Sequence, residues 1–531
     1  MKPLINRGLL FSLAFLLSIQ VFAQKKQLSW EDLRKDYQFP KWYTEARFGI
    51  WVHWGAQTQP EQGGGWYARH MYMQNVGKET WGAKAYPYHV KTYGHPSEKG
   101  FKDVIHEWKA DKLNTDDLLK YFKSIGAKYF VALANHHDHF DNFASTYQPW
   151  NSVNVGPKKD LIGMFKKSAV KYGIPFGVSS HDDRFLDWWK TAFGADTSGA
   201  KKGVKYDGWM TKADGKGKWW EGLDPADLYG LPPEKRTPEW IKSVKENYVK
   251  RTEELVSKYD VDLLWFDGYG FPYGDYGKEV CTYYFNRSLK EHGKVTAVVA
   301  GKFNNEPSTV KDIERGGANK ILPYPWQGTL TFGSWFYKKD RPIRHNSRTV
   351  IESLTDMMSK NGNLLLNVEL LPDGTIPQDH KLILDTIGRW INANSEAIYA
   401  SKPWTIYGDN LHGGKGTKNI SEADLDANKK HESEDFNERT TASPAYPHNE
   451  VRFTTKGNAL YVFVLNPVNG KIEIPALGWQ SEQNTKKITA VKLLGGTEKT
   501  EFEQLKDKLV ISIDVDHKFN YTKVYKVMGI L

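Results

Sequence analysis

The stretch "VDLLWFDGYG", Val261 to Gly270, sets an apolar run directly before a carboxylate and a glycine. Leu263 to Phe266 is apolar at every position, so both faces of the strand it forms must be covered, as in a parallel sheet. Asp267 stands where that strand ends, and Gly268 lets the backbone turn behind it. A carboxylate placed there can attack an anomeric carbon, activate water, bind a metal or cap the following helix.

Five other runs read the same way: "RFGIWVHWG" from Arg47, "AKYFVALANHH" from Ala127, "IPFGVSSHDD" from Ile174, "KVTAVVAG" from Lys294 and "GNLLLNVE" from Gly362. Amphipathic stretches lie between them, among them "NTDDLLKYFKSIGA", where Asn114 or Thr115 caps, and "PEWIKSVKENYVKRTEELVSKYD". Strand and helix in alternation build either a (β/α)8 barrel or a doubly wound sheet. The strand ends decide between them. His53, His136 with His137, His181 with Asp182, Asp267 and Glu369 would converge on one mouth in a barrel, where active sites sit. A doubly wound sheet would carry a Gly-rich phosphate loop, and neither GxGxxG nor a Walker-type loop occurs. The expected fold is therefore α/β, a (β/α)8-like TIM barrel over residues 24–400.

After "GRWINANSEAIYASKPW" the helical pattern stops. Residues 401–450 read as a polar linker or insert, and 451–531 as a C-terminal antiparallel β-sandwich of short alternating strands with Gly and Asn turns. Within the barrel, Lys190 to Pro233 is a long irregular segment whose Trp209, Trp219, Trp220 and Tyr229 argue for a cap over the mouth rather than disorder.

The chain opens with Lys2 and Arg7, an apolar run from Leu9 to Phe22, and Ala23, the pattern of a cleaved signal peptide over 1–23. The run falls short of the ~20 residues of a membrane span. A periplasmic or secreted protein without a membrane anchor is expected, and with Cys281 as its one cysteine it must stand without an internal disulfide. Net charge is +10, or +8 once Lys2 and Arg7 are removed. That balance suits an anionic partner as well as a solvated surface of mixed sign. The lysines are scattered and no nucleic-acid motif occurs, so no nucleic-acid partner is expected. Twenty tryptophans and 28 tyrosines suit a sugar site, because aromatic faces stack on C–H-rich rings.

"NHHDHF", Asn135 to Phe140, resembles a metal site by composition only. Adjacent residues on extended backbone point to opposite faces, so neighbouring histidines rarely chelate one ion together. Histidines that donate to substrate hydroxyls fit better, and no GxSxG elbow supports a serine hydrolase.

Seven motifs in order, "RFGIWVHWG", "GWYARHMY", "LANHHDHF", "GPKKDLIG", "LLWFDG", "SKNGNLLLNVELLPDGTIP" and "IGRWINANSEAIY", together resemble the α-L-fucosidases of glycoside hydrolase family 29. The resemblance runs from about Tyr43 to Ser401 and continues into "EVRFTTKGNALYVFVL". It implies a retaining exo-hydrolase without cofactor or metal, acting on an oligo- or polysaccharide. Carried over by motif, Asp267 matches the family's nucleophile and Trp265 a sugar-contacting tryptophan. His53, His136 and His137 match sugar-hydroxyl ligands, and Trp66 a ring-edge contact. For the acid/base, Glu314 in "KDIERGG" is the first choice and Glu306 the reserve, since the alternative "PWE" position holds Gln327.

Three departures bear on substrate identity. Gly65 stands where the family usually has an acidic residue gripping a sugar hydroxyl, and is expected to open space for a substituent. Lys302 replaces an arginine, and Ser179 to His181 replace a tyrosine wall. An α-L-galactosidase or related exo-enzyme on sulfated galactan is the near alternative. A non-catalytic sugar-binding pseudoenzyme and a metal-dependent hydrolase are the readings from other classes.

Overall fold

Eight parallel strands close into a barrel in chain order: β1 Phe48–Val52, β2 Tyr129–Asn135, β3 Phe176–Ser180, β4 Leu263–Tyr269, β5 Val298–Lys302, β6 Val310–Glu314, β7 Trp326–Thr331 and β8 Gly362–Asn367. The computed structural model describes residues 27–410 and 446–531, except 79, 81, 305, 497, 498 and 516–520. The leader expected at 1–23 lies outside the described residues. Helices Leu161–Tyr172, Pro238–Lys258, Asp275–His292 and Ser347–Ser359 fill the crossings after β2, β3, β4 and β7. Asn114 caps helix Thr115–Ser124 by accepting from the Asp117 N–H at 3.1 Å. Among the described residues no helix lies between β5 and β6 or between β6 and β7. β6 and β7 are not among the expected runs, because no amphipathic helix frames them and, apart from Val310, their inward positions are polar.

Side chains alternate across each strand, so one parity fills the barrel and the other meets the helices. Trp51, Tyr129, Val131, Leu263, Trp265, Val298, Ala300, Val310 and Leu365 form the interior cluster. Gly49 admits the Tyr129 ring, since a Cβ there would lie 2.3 Å from it. Trp51 and Trp265 meet at a centroid separation of 4.6 Å and make a floor. One pleat period further along the same strands lie His53 and Asp267, at the C-terminal mouth.

The segment Lys190 to Pro233 is folded. Buried Asp207 accepts from the hydroxyls of Tyr72 and Tyr229, each at 2.7 Å, and from Lys102 Nζ at 2.9 Å. The bonds from Tyr72 and Lys102 tie the segment to the excursion between β1 and β2.

The C-terminal region holds a five-stranded antiparallel sheet, in the order Ala490–Leu493, Lys523–Met528, Ala459–Leu465, Glu450–Lys456 and Lys402–Asp409, and a three-stranded sheet of Gly470–Ile474, Leu509–Ile513 and Phe502–Gln504. The two enclose their own apolar core. The expectation of a linker over 401–450 needs correction: Lys402–Asp409 is the edge strand of the larger sheet, paired with Glu450–Lys456. It was missed because its partner is distant in sequence. Residues 411–445 lie outside the described residues. Helix Ser347–Ser359 joins barrel to sheet through Asp356, which accepts from Arg452 Nε at 2.7 Å and Lys360 Nζ at 2.8 Å. No helix among the described residues is long and apolar enough to cross a membrane.

Candidate active site

A bulge in β4 sets up the site. Phe266 pairs with Gly301 and Tyr269 with Lys302, leaving Asp267 and Gly268 inserted between them, and such bulges re-aim side chains beside active sites. Gly268 takes φ +84, a conformation that suits glycine. The Asp267 carboxylate is buried at the mouth. Lys302 Nζ lies 2.7 Å from Asp267 Oδ1 and 2.6 Å from Glu314 Oε2, so one ammonium bridges both carboxylates. His137 Nε2 is 3.3 Å and His181 Nδ1 3.6 Å from Asp267 Oδ2.

These neighbours set the charges. Burial pushes the Asp267 carboxyl up, but Lys302, His137 and His181 outweigh it and hold it well below its ordinary value. Burial likewise opposes ionisation of Glu314, and Lys302 with Arg315 overcomes it, so this carboxyl too is lowered. Arg315 follows at φ +53, strained backbone for a non-glycine residue directly beside Glu314, and its guanidinium lies 4.8 Å from the Trp335 ring centroid.

His53, His136, His137 and His181 surround the carboxylate on the other side. Burial first, then mutual repulsion, lowers His53 and His136 well below the ordinary imidazole value, and burial lowers His181 to about 4. All three are neutral near pH 7. The Gln57 carbonyl accepts from the Ala68 N–H at 3.4 Å, so its amide donates to His136 Nδ1 at 2.8 Å. His136 therefore carries its proton on Nε2 and presents a donor. The ligand atoms of His53, His136 and His181 lie within 4.8 Å of one another, a grouping that by distance alone suits a cation. A protonated Nε2 offers a metal no lone pair, so the donor set fits sugar oxygens better than an ion.

The aromatic walls follow. Trp265 donates from Nε1 to Asp312 at 2.9 Å, and Asp312 also accepts from Gln327 at 2.6 Å, which locks the floor indole. Trp66 is half-buried, 4.8 Å from Trp188 and 6.0 Å from His137 between centroids. Arg69 secures this edge by donating to the carbonyls of Asp187 and Trp188 at 2.6 and 2.9 Å. Gly65 does not open space. A Cβ there would meet the Phe336 ring at 2.7 Å, and the backbone has φ +108. Phe336 fills the position and stands nearly perpendicular to His53 and His136 at 4.9 and 5.0 Å.

The structure brings Asp267, Glu314, His53, His136, His137, Trp66 and Trp265 together. It keeps Glu306 apart: that carboxylate pairs with Arg34 at 3.6 Å and accepts from Ser308 Oγ at 2.7 Å, toward the N-terminal helix Trp30–Lys35. His139 also turns away, stacked on Phe185 and bonded to Asp182 at 2.7 Å. Asp183 is a further neighbour that the strand-end pattern does not single out. It reaches to within 3.8 Å of His137 Nδ1 and rests against Gly268, and burial followed by the Asp267 charge raises it to about 6. The "HDD" run was its only signal.

Cleaving an acetal needs two carboxyl groups disposed about one glycosidic bond, and a barrel mouth is where such a pair can be mounted on rigid strands. The class this fold and site define is glycoside hydrolase. The family narrows it: the sequence model of the Alpha-L-fucosidase family matches residues 14–396, and the chain belongs to that family. Tissue alpha-L-fucosidase of Rattus norvegicus is 26% identical over 379 residues, covering 69% of this chain and 71% of its own. A putative alpha-L-fucosidase of Caenorhabditis elegans is 24% identical over 503 residues, covering 92% and 89%. The Thermotoga maritima alpha-fucosidase solved with a mechanism-based inhibitor superposes with a TM-score of 0.66 at 26% identity, over 94% of this chain and 99% of that one.

Proposed function

We propose that this α-L-fucosidase is a retaining exo-enzyme that releases terminal L-fucose from glycans, with Asp267 as nucleophile and Glu314 as acid/base. One observation carries the reading. Because Lys302 Nζ touches both carboxylates, their facing oxygens lie no more than about 5.3 Å apart, short of the ~6.5–9.5 Å that leaves room for an inverting water and compatible with the closer spacing of retaining enzymes.

In the first step an Asp267 oxygen bonds to C1 while the glycosidic C1–O bond breaks, and the Glu314 proton goes to the departing oxygen. In the second, Glu314 takes a proton from water, the water oxygen bonds to C1, and Asp267 leaves as carboxylate. Asp267 is suited to its part by the charges that keep it ionised. Glu314 must be protonated before the first step, yet Lys302 favours its ionised form. The free enzyme is therefore most competent in acid, where that proton is present. His53, His136 and His137 bond the sugar hydroxyls, Trp265 lies under the ring and Trp66 at its edge.

The test is hydrolysis of aryl α-L-fucoside against aryl α-L-galactoside by wild type, Asp267→Ala, Glu314→Ala and Glu306→Gln. Both alanine variants lose activity and Glu306→Gln keeps it. Azide restores turnover of Glu314→Ala and yields the α-fucosyl azide. Full activity in Asp267→Ala, or rescue confined to a Glu306 variant, contradicts the assignment. The reading of 1–23 as a leader supports export, checked by finding Gln24 as the mature N-terminus.

A further inference from the structure

We propose that Tyr269 is the platform of a second sugar subsite, which holds the pyranose ring of the leaving group. The inference rests on the assignment of Glu314 to the leaving oxygen. Tyr269 is 55% exposed, and among the described residues no other exposed large apolar side chain lies within two residues of a site residue. Every other aromatic of the site, from Trp51 and Trp265 to Phe336 and Trp66, is buried or half-buried. An aromatic side chain more than half exposed beside a sugar site offers a surface that a sugar's C–H face can cover.

Its position is built rather than incidental. The β4 bulge that turns Asp267 inward restores pairing at Tyr269, and glycines flank it at φ +84 and +82. The Gly270 N–H donates to the Lys302 carbonyl at 3.3 Å, fixing the segment to β5. A Cβ on Gly270 would meet nothing within 4 Å, so space beside the platform is open. Lys302 Nζ links the two: it lies 2.6 Å from Glu314 Oε2 and 5.8 Å from the Tyr269 ring centroid, so the ring centre is within about 8.4 Å of that carboxylate oxygen. A pyranose bonded to the oxygen that Glu314 protonates can span that distance and lie against the ring. The ligand class is a sugar with an apolar C–H face, bonded directly to the fucosyl residue.

The experiment compares kcat/KM for α-L-fucosyl fluoride, whose leaving atom carries no ring, with kcat/KM for an α-L-fucosyl-galactose disaccharide. Wild type, Tyr269→Phe and Tyr269→Ser are measured. The disaccharide-to-fluoride ratio is expected to fall about five- to tenfold in Tyr269→Ser and to stay within about twofold of wild type in Tyr269→Phe, which keeps the face. An unchanged ratio in Tyr269→Ser, including an equal fall on both substrates, overturns the subsite while leaving the glycosidase reading intact. Failure of wild type to cleave the fluoride would instead overturn the glycosidase reading, and the subsite with it.

Discussion

Replacing Lys302 by Met removes the charge between the two carboxylates while keeping an unbranched chain of similar length. At about 4 Å between charge centres and an effective dielectric of ~20, an ammonium stabilises each ionised carboxyl by about 4 kcal/mol. Burial of the ammonium and of the carboxylates offsets part of this, and the expectation for the pair is a net rise of both carboxyls toward or above their ordinary values. Both carboxyls now sit below their ordinary values, so both limbs of the pH profile move upward. The acid limb, where Asp267 must lose its proton, shifts to higher pH. So does the alkaline limb, where Glu314 must keep its proton. The two groups share one site, so the limbs report the pair rather than either residue. The assay is kcat/KM for aryl α-L-fucoside from pH 3 to 9, with Lys302→Arg as the charge-preserving control. The expected result is a higher ratio of activity at pH 7 to that at pH 5 in Lys302→Met and little movement in Lys302→Arg. Limbs that stay in place or move to lower pH would refute the bridging role.

Asp183 is raised to about 6 by burial and the neighbouring Asp267. Against an unfolded value near 3.8, its ionisation weakens the fold as pH rises through about 6 and has no effect below about 4. Asp183→Asn should then raise stability by about 1–3 kcal/mol at pH 8 and leave it unchanged at pH 3.5, read by denaturant melts at the two pH values. Gly65→Ala meets the Phe336 ring at a positive φ and should cost about 1–3 kcal/mol, with part of the loss recovered in Gly65→Ala/Phe336→Ala; a neutral Gly65→Ala would revive the open-space idea. Gln57→Leu frees His136 Nδ1 to take the proton, and kcat/KM on aryl α-L-fucoside should fall about tenfold or more, whereas an unchanged value would mean that the tautomer does not matter.

Most of the barrel was legible because β1 to β5 and β8 are apolar on both faces, and each ends in a polar residue. β6 and β7 escaped because Asp312, Gln327 and Thr329 fill the interior there by bonding one another, which removes the apolar parity. His53, His136, His137 and Asp267 could be read as strand ends, a local property. The Lys302 bridge is not local, since it depends on β5 and β6 setting two distant residues against one nitrogen. Gly65 shows the limit most clearly. A glycine signals that something approaches the backbone, but that the intruder is Phe336, from the loop after β7, is a tertiary fact. The edge strand Lys402–Asp409 was hidden for the same reason, because its pairing partner begins at Glu450.

The central claim is that Asp267 attacks the sugar. Incubating the enzyme with 2-deoxy-2-fluoro-α-L-fucosyl fluoride and mapping the labelled peptide by mass spectrometry tests it directly, since the fluorine slows the second step and lets the covalent intermediate accumulate. One 2-deoxy-2-fluorofucosyl group on the Asp267 carboxylate, lost again on reactivation, is the result predicted. A label on Glu314 or Asp183, or turnover with inverted anomeric configuration and no label, would contradict it.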